Sequence, residues 1–158
     1  MLSEQLQTSE DATGLESALP GAIVTGKYDR AEWTLEVNPQ QIVDICRFLK
    51  TERKYERLSS VTGVDRYPVE PRFEIIYHLQ SVSRNQRLRI KARVGTKTTA
   101  EIDSVTGVWR SANWYEREVF DLFGVTFRNH PELKRIMLPD DWEGHPLRKD
   151  YPITGNRV

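Results

Sequence analysis

The stretch from Asn113 to Pro152 constrains this chain most, because it starts as one kind of structure and continues as another. Its first third has the marks of a helix. Asn113 can cap the N-terminus and Glu116 follows at capping-box spacing. Glu116 and Glu118 fall where the positive end of the helix dipole favours carboxylates, and Gly124 supplies a left-handed stop. Tyr115, Val119 and Leu122 share one side, widened by Phe120 and Phe123. The remainder cannot be one helix or a central strand, since Pro131, Pro139, Pro146 and Pro152 interrupt it too often. Yet it carries Phe127, Leu133, Ile136, Met137, Leu138, Trp142 and Leu147, more apolar groups than a disordered tail contains. An extended arm lying on a protein surface, its own or a partner's, fits both observations.

The preceding chain reads as an α+β domain. Residues 1–20 are polar, with Leu15 and Leu19 marking at most a short helix, and are expected to be flexible. Ala22–Val24 and the alternating Trp33–Val37 form a hairpin across Tyr28–Arg30. Gly21-Ala-Ile-Val-Thr-Gly26-Lys27 has the glycine and lysine spacing of a phosphate loop. It ends in Tyr28 where a Ser or Thr belongs, and its interior is strand-like, so it reads as an ordinary strand. Asn38-Pro39 opens a helix whose Ile42, Ile45, Cys46 and Leu49 recur on one face. Strands follow over Leu58–Val64 and Phe73–Leu79. Next comes Arg87–Val94, with Leu88, Ile90, Ala92 and Val94 on one face and Arg87, Arg89, Lys91 and Arg93 on the other. From 95 to 110 the pattern weakens to a loop with a helical turn. The expected architecture is a mainly antiparallel sheet packed by helices on one face. Its organisation is a flexible segment over 1–20, an α+β domain over 21–124 and an extended C-terminal docking arm over 125–158.

Chemistry is sparse. The 23 basic and 23 acidic residues of the 158 cancel, which argues against nonspecific nucleic-acid binding. The single Cys46 cannot hold an iron–sulfur cluster or structural zinc, and its place on an apolar stripe suits a core residue. No apolar run reaches the roughly 20 residues of a membrane helix, and no leader of signal-peptide type is evident. Glu116 and Glu118 point about 200° apart on a helix, so they cannot act as a general acid/base pair. Two alternatives remain open. Asp140, Asp141, Glu143 and His145 could hold a metal in a stand-alone enzyme. The Arg87–Arg93 face could bind RNA or an acidic partner, or be a solvated face neutralised by Glu74. The residues favour an interaction module, with Trp109, Trp114 and Trp142 and the arginines near them as anchors.

Glu116-Arg117-Glu118, Asp121-Leu122-Phe123, then His130, Lys134, Ile136 and Met137, and finally the block Gly144–Pro152, agree in order and spacing with a known signature. Over these forty residues the chain resembles the thirty-kilodalton subunit of respiratory complex I, the C or J subunit of proton-pumping NAD(P)H:quinone oxidoreductases. The variant Met137–Trp142 and the short length look more like the J form of cyanobacteria and chloroplasts. The resemblance implies a non-catalytic assembly subunit of the peripheral arm, with no cofactor of its own. It would pack against the large quinone-site subunit and the iron–sulfur subunits, whose clusters and quinone serve electron transfer. For the plastid form the quinone would be plastoquinone and the donor NAD(P)H or ferredoxin. Membrane association would come only through the complex, on the cytoplasmic or stromal face of an energy-transducing membrane, the thylakoid for the plastid form. Expected contacts are Glu116, Arg117, Glu118 and Asp121 fixing the helix, with His130, Arg135, Trp142, Arg148, Lys149 and Tyr151 docking the arm.

Overall fold

The computed structural model describes residues 4–154. Helices α1 (Glu4–Gln7) and α2 (Glu10–Ala18) lead into strands β1 (Ile23–Asp29) and β2 (Glu32–Val37). A 3-10 turn (Pro39–Gln41) opens α3 (Ile42–Thr51), followed by β3 (Arg57–Asp65), β4 (Phe73–Ser81) and β5 (Gln86–Val94). The short β6 (Glu101–Asp103), helix α4 (Ala112–Phe123) and β7 (Thr126–Arg128) complete the regular elements.

The main sheet has five strands in the order β1-β2-β5-β4-β3. Three pairings are antiparallel and β2–β5 is parallel. Alternation explains its two faces. Leu35, Val37, Phe73, Ile75, Tyr77, Leu79, Leu88, Ile90 and Ala92 point inward and join Ile42, Ile45, Cys46 and Leu49 of α3 and Val119 of α4 in one core. The α+β architecture with a mainly antiparallel sheet is therefore as the alternation requires. The opposite face carries the cation row, which is paired with carboxylates of the same face. Glu74 pairs with Arg66, Lys91 and Arg93, and Glu32 with Arg87 and Arg89. Among the described residues no helix is long and apolar enough to cross a membrane.

Three expectations are corrected. The first concerns the segment expected to be flexible over 1–20, of which residues 1–3 lie outside the described part. It forms two packed helices, with Ser9 capping the amide of Ala12 and Leu6, Ala12 and Leu15 buried. Its anchor is Asp11, which accepts from Tyr55 Oη at 2.6 Å, Arg53 Nε at 2.7 Å and Arg84 at 3.0 Å. Those partners lie more than forty residues away, so local composition could not reveal them. Second, the arm does not begin at 125. Val125 and Phe127 are buried, and β7 pairs in parallel with β6, which also puts a strand in the expected 95–110 loop. Residues 155–158 of the expected arm lie outside the described part. Third, Ser111 rather than Asn113 precedes the first turn of α4, without a side-chain cap, and Glu116 is used elsewhere. Asn38 does cap, but over a 3-10 turn.

Candidate docking site at helix α4 and the C-terminal arm

The last turn of a helix leaves carbonyls without intrahelical partners. In α4 the arm supplies those partners. Gly124, left-handed at φ 71°, returns its amide to Phe120 O. His145 Nδ1 donates to Asp121 O at 2.8 Å, the Leu147 amide to Leu122 O at 3.1 Å, and Arg148 Nε to Phe123 O at 2.6 Å. Arg148 also places positive charge at the negative end of the helix. A side chain at position 124 would collide with both His145 and Arg148, so glycine serves the turn and the close approach together.

Asp121 is the hub. It is fully buried. Its Oδ2 accepts the consecutive amides of Ile136, Met137 and Leu138 at 2.9, 2.7 and 2.9 Å, and its Oδ1 takes Arg135 Nη1 at 2.6 Å. Burial alone would push this carboxyl up; the amides of Leu138, Ile136 and Met137 together with Arg135 outweigh it and hold the carboxyl below its usual range. Arg135 Nη2 also donates to Trp142 O and Gly144 O, both at 2.9 Å. One helical turn before Asp121, Arg117 donates to Lys134 O and Arg135 O at 3.1 Å each. The spacing of Arg117 and Asp121 puts both on the face that the arm crosses.

Glu116 faces the interior. Its carboxylate accepts from Ser104 Oγ at 2.6 Å and from the Val105 amide at 2.8 Å, and it has no cation in hydrogen-bonding reach. Burial pushes it up to about 7 against these two hydrogen bonds. The ring of His130, itself buried, stands 3.9 Å away. His130 Nδ1 accepts the Glu132 amide, so its proton is on Nε2, which donates to Asn113 O. A second tie fastens the end of the arm. Arg72, 1 % exposed, joins Asp65 and Asp150 and lies against the rings of Tyr67 and Phe73. Asp65 also accepts the amides of Lys149 and Tyr67. Burial pushes Asp65 up, but Arg72 and these amides bring it down to about 2.

Of the residues expected to make contacts, Arg117, Asp121, Arg135, Trp142 and Arg148 thus meet in one network within the chain, with Glu116 and His130 beside it. The Glu118 and Lys149 side chains point outward, and Tyr151 Oη donates to Glu143 O. Sequence reasoning missed Asp65, Arg72 and Ser104, which flank turns and follow no periodic signal. It took His145 for a potential ligand. His145 instead turns inward to α4, and no group of three His, Cys, Asp or Glu among the described residues could hold a metal. Cys46 is the single thiol and is fully buried, with burial pushing its pKa up. The donor set does not fit an iron–sulfur cluster.

Solved structures share this fold. A chain of the membrane-bound sulfane sulfur reductase, an archaeal respiratory membrane complex, matches with a TM-score of 0.78 and 29% identity over 91% of this chain and 85% of that one. A trypsin-resistant fragment of Nqo5 matches with a TM-score of 0.65 and 26% identity over 77% of this chain and 97% of the fragment. The mixed sheet packed by helices is thus a fold that this chain shares with a chain of an archaeal respiratory membrane complex. Residues 35–157 match the model of the respiratory-chain NADH dehydrogenase 30 kDa subunit, and the chain belongs to that family. The C subunit of NADH-quinone oxidoreductase from Geotalea uraniireducens is 45% identical over 98% of this chain and 93% of its own length. That of Geobacter sulfurreducens is 49% identical over 89% and 87%.

Proposed function

We propose that the chain is a non-catalytic assembly subunit in the peripheral arm of a proton-translocating NADH:quinone oxidoreductase. In this reading it holds no cofactor. It packs against the large quinone-site subunit and the iron–sulfur subunits and keeps the electron path to quinone rigid. It sits on the cytoplasmic face and is held at the membrane by those partners. The observation that carries this reading is where the signature side chains go. Arg117, Asp121 and Arg135 fix the arm and Glu116 ties α4 to Ser104 and Val105, instead of lining a substrate cleft, and this leaves Trp114, Met137 and Leu147 exposed outside. A surface already ordered loses little conformational freedom on binding. The plastid form, with plastoquinone, ferredoxin and a thylakoid location, draws no support from these relatives, which are the C subunits of bacterial enzymes. The metal-enzyme and RNA readings are likewise unsupported, since His145 and the cation row already have partners within the chain.

The test is a tagged chain drawn from native membranes in gentle detergent. It should bring quinone-site and iron–sulfur subunits with it. Asp121→Ala should lower the yield of complex while each assembled complex keeps its quinone-reductase turnover. Loss of turnover at full assembly would instead make Asp121 part of the chemistry.

A further inference from the structure

The outer side of α4 borders an open groove of about 820 Å3 between that helix and the first residues of the arm, lined by Arg110, Trp114, Arg117, Glu132 and Lys134. Its charge is unbalanced. Glu132 is taken by Lys134 at 2.7 Å. Arg110 is exposed and forms no ion pair among the described residues. Arg117, only 8 % exposed, uses Nε and Nη2 on the arm's carbonyls and also feels the charge of Glu132. Arg110 differs in this from the sheet's cation row, where each of Arg87, Arg89, Lys91 and Arg93 has Glu32 or Glu74 within 4 Å. At the centre Trp114 lies over the Arg117 guanidinium, 5.1 Å from ring centroid to cation, and is still 62 % exposed. A large aromatic surface left in water beside the unpaired Arg110 guanidinium is the composition of an interface anchor rather than of a solvated face.

We propose that this groove is the docking site for an acidic peptide segment of a neighbouring subunit, its carboxylates on Arg110 and an apolar side chain over Trp114, which the buried Arg117 holds in place. The inference rests on the assembly reading above and names the surface and the chemistry of its occupant. An arginine fork donates directional hydrogen bonds to a carboxylate. Closing an apolar group over the indole removes water from the pair and strengthens it. Nucleic acid could use the same arginine–tryptophan pair, but the chain's zero net charge does not favour a polyanion.

The experiment is Trp114→p-benzoylphenylalanine in the tagged chain, assembled in its host, irradiated in the isolated complex and mapped by mass spectrometry. The expected crosslink joins position 114 to another subunit within a few residues of two or more Asp or Glu. An assembled complex with no crosslink at 114, or with one to RNA or to a segment lacking carboxylates, overturns this inference and leaves the assembly reading intact. Recovery of the chain without other subunits overturns both. A second measurement guards against a probe that perturbs docking. Arg110→Glu should need roughly half the salt of the unmodified chain to strip it from the complex. The isolated variant should keep its thermal midpoint, as suits an exposed residue. An unchanged salt requirement counts against the groove.

Discussion

Glu116 and Asp121 lie on one helix, both out of water; burial pushes both carboxyls up, and they end on opposite sides of their ordinary values because their donors differ. Asp121 has three amides and a guanidinium; Glu116 has one hydroxyl and one amide. A carboxyl held up to about 7 in the fold, against an ordinary 4.5, favours folding while it is protonated. Its contribution is complete below the ordinary value and is lost as pH rises through about 7. Glu116→Gln should remove this loss. The amide can still accept from Val105, and it can donate to Ser104 Oγ, which can turn to Thr106 Oγ1 at 2.9 Å. Urea midpoints at pH 5 and pH 8 should therefore be closer together in the variant, with its gain at pH 8. An unchanged gap would mean Glu116 is ionised throughout. The sequence marked both residues as contact-makers but not with whom. Their partners sit 11 to 17 positions away across irregular backbone, where no period connects them.

At the scale of elements, what could be read was what repeats. The alternation of Leu88, Ile90, Ala92 and Val94 and the stripe of Ile42, Ile45, Cys46 and Leu49 gave β5 and α3, because burial on one face imposes a period. The parallel pairing of β2 with β5 left no such trace, since alternation is the same in either direction. The N-terminal helices were obscured because α2 buries little more than Ala12 and Leu15 and depends on the charged knot at Asp11. Leu15→Ala should accordingly cost about 2–5 kcal/mol, as for other fully buried leucines. A thermal midpoint within a degree or so of the parent would mean α2 contributes nothing to the cooperative unit. On the arm, Asp121→Ala leaves Arg135 and three amides without their acceptor. Losing one partner of a buried charged pair costs about 3–5 kcal/mol. Urea unfolding should show a loss of that size, and one within experimental error of zero would refute the hub.

Across the whole molecule, the carboxylates that fasten the distant parts titrate on one side and Glu116 on the other. Asp65 is brought down to about 2, and Asp11, Asp121 and Asp150 are held below their usual range. Depressed carboxyls contribute fully above about 3.8 and lose that contribution as pH falls toward 2. Glu116 weakens the fold above about 4.5, whereas His78 and His145, held below their usual 6.5 by burial, weaken it as pH falls below that value, so stability of the isolated chain should peak on the acid side of neutrality, between 4.5 and 6.5. A denaturation series over pH 2 to 8 checks this, and a maximum at pH 7 or above would contradict it. Arg135 has a further consequence, for proteolysis. Trypsin must draw an arginine into a pocket that ends in a carboxylate. Here the guanidinium is already committed to Asp121, Trp142 and Gly144, and that of Arg148 to Phe123, Gly124 and Thr98. Both cut sites are closed as long as the arm lies in place. The rate of cleavage after Arg135 therefore measures how often the arm lifts, and Asp121→Ala should turn a resistant bond into an early one.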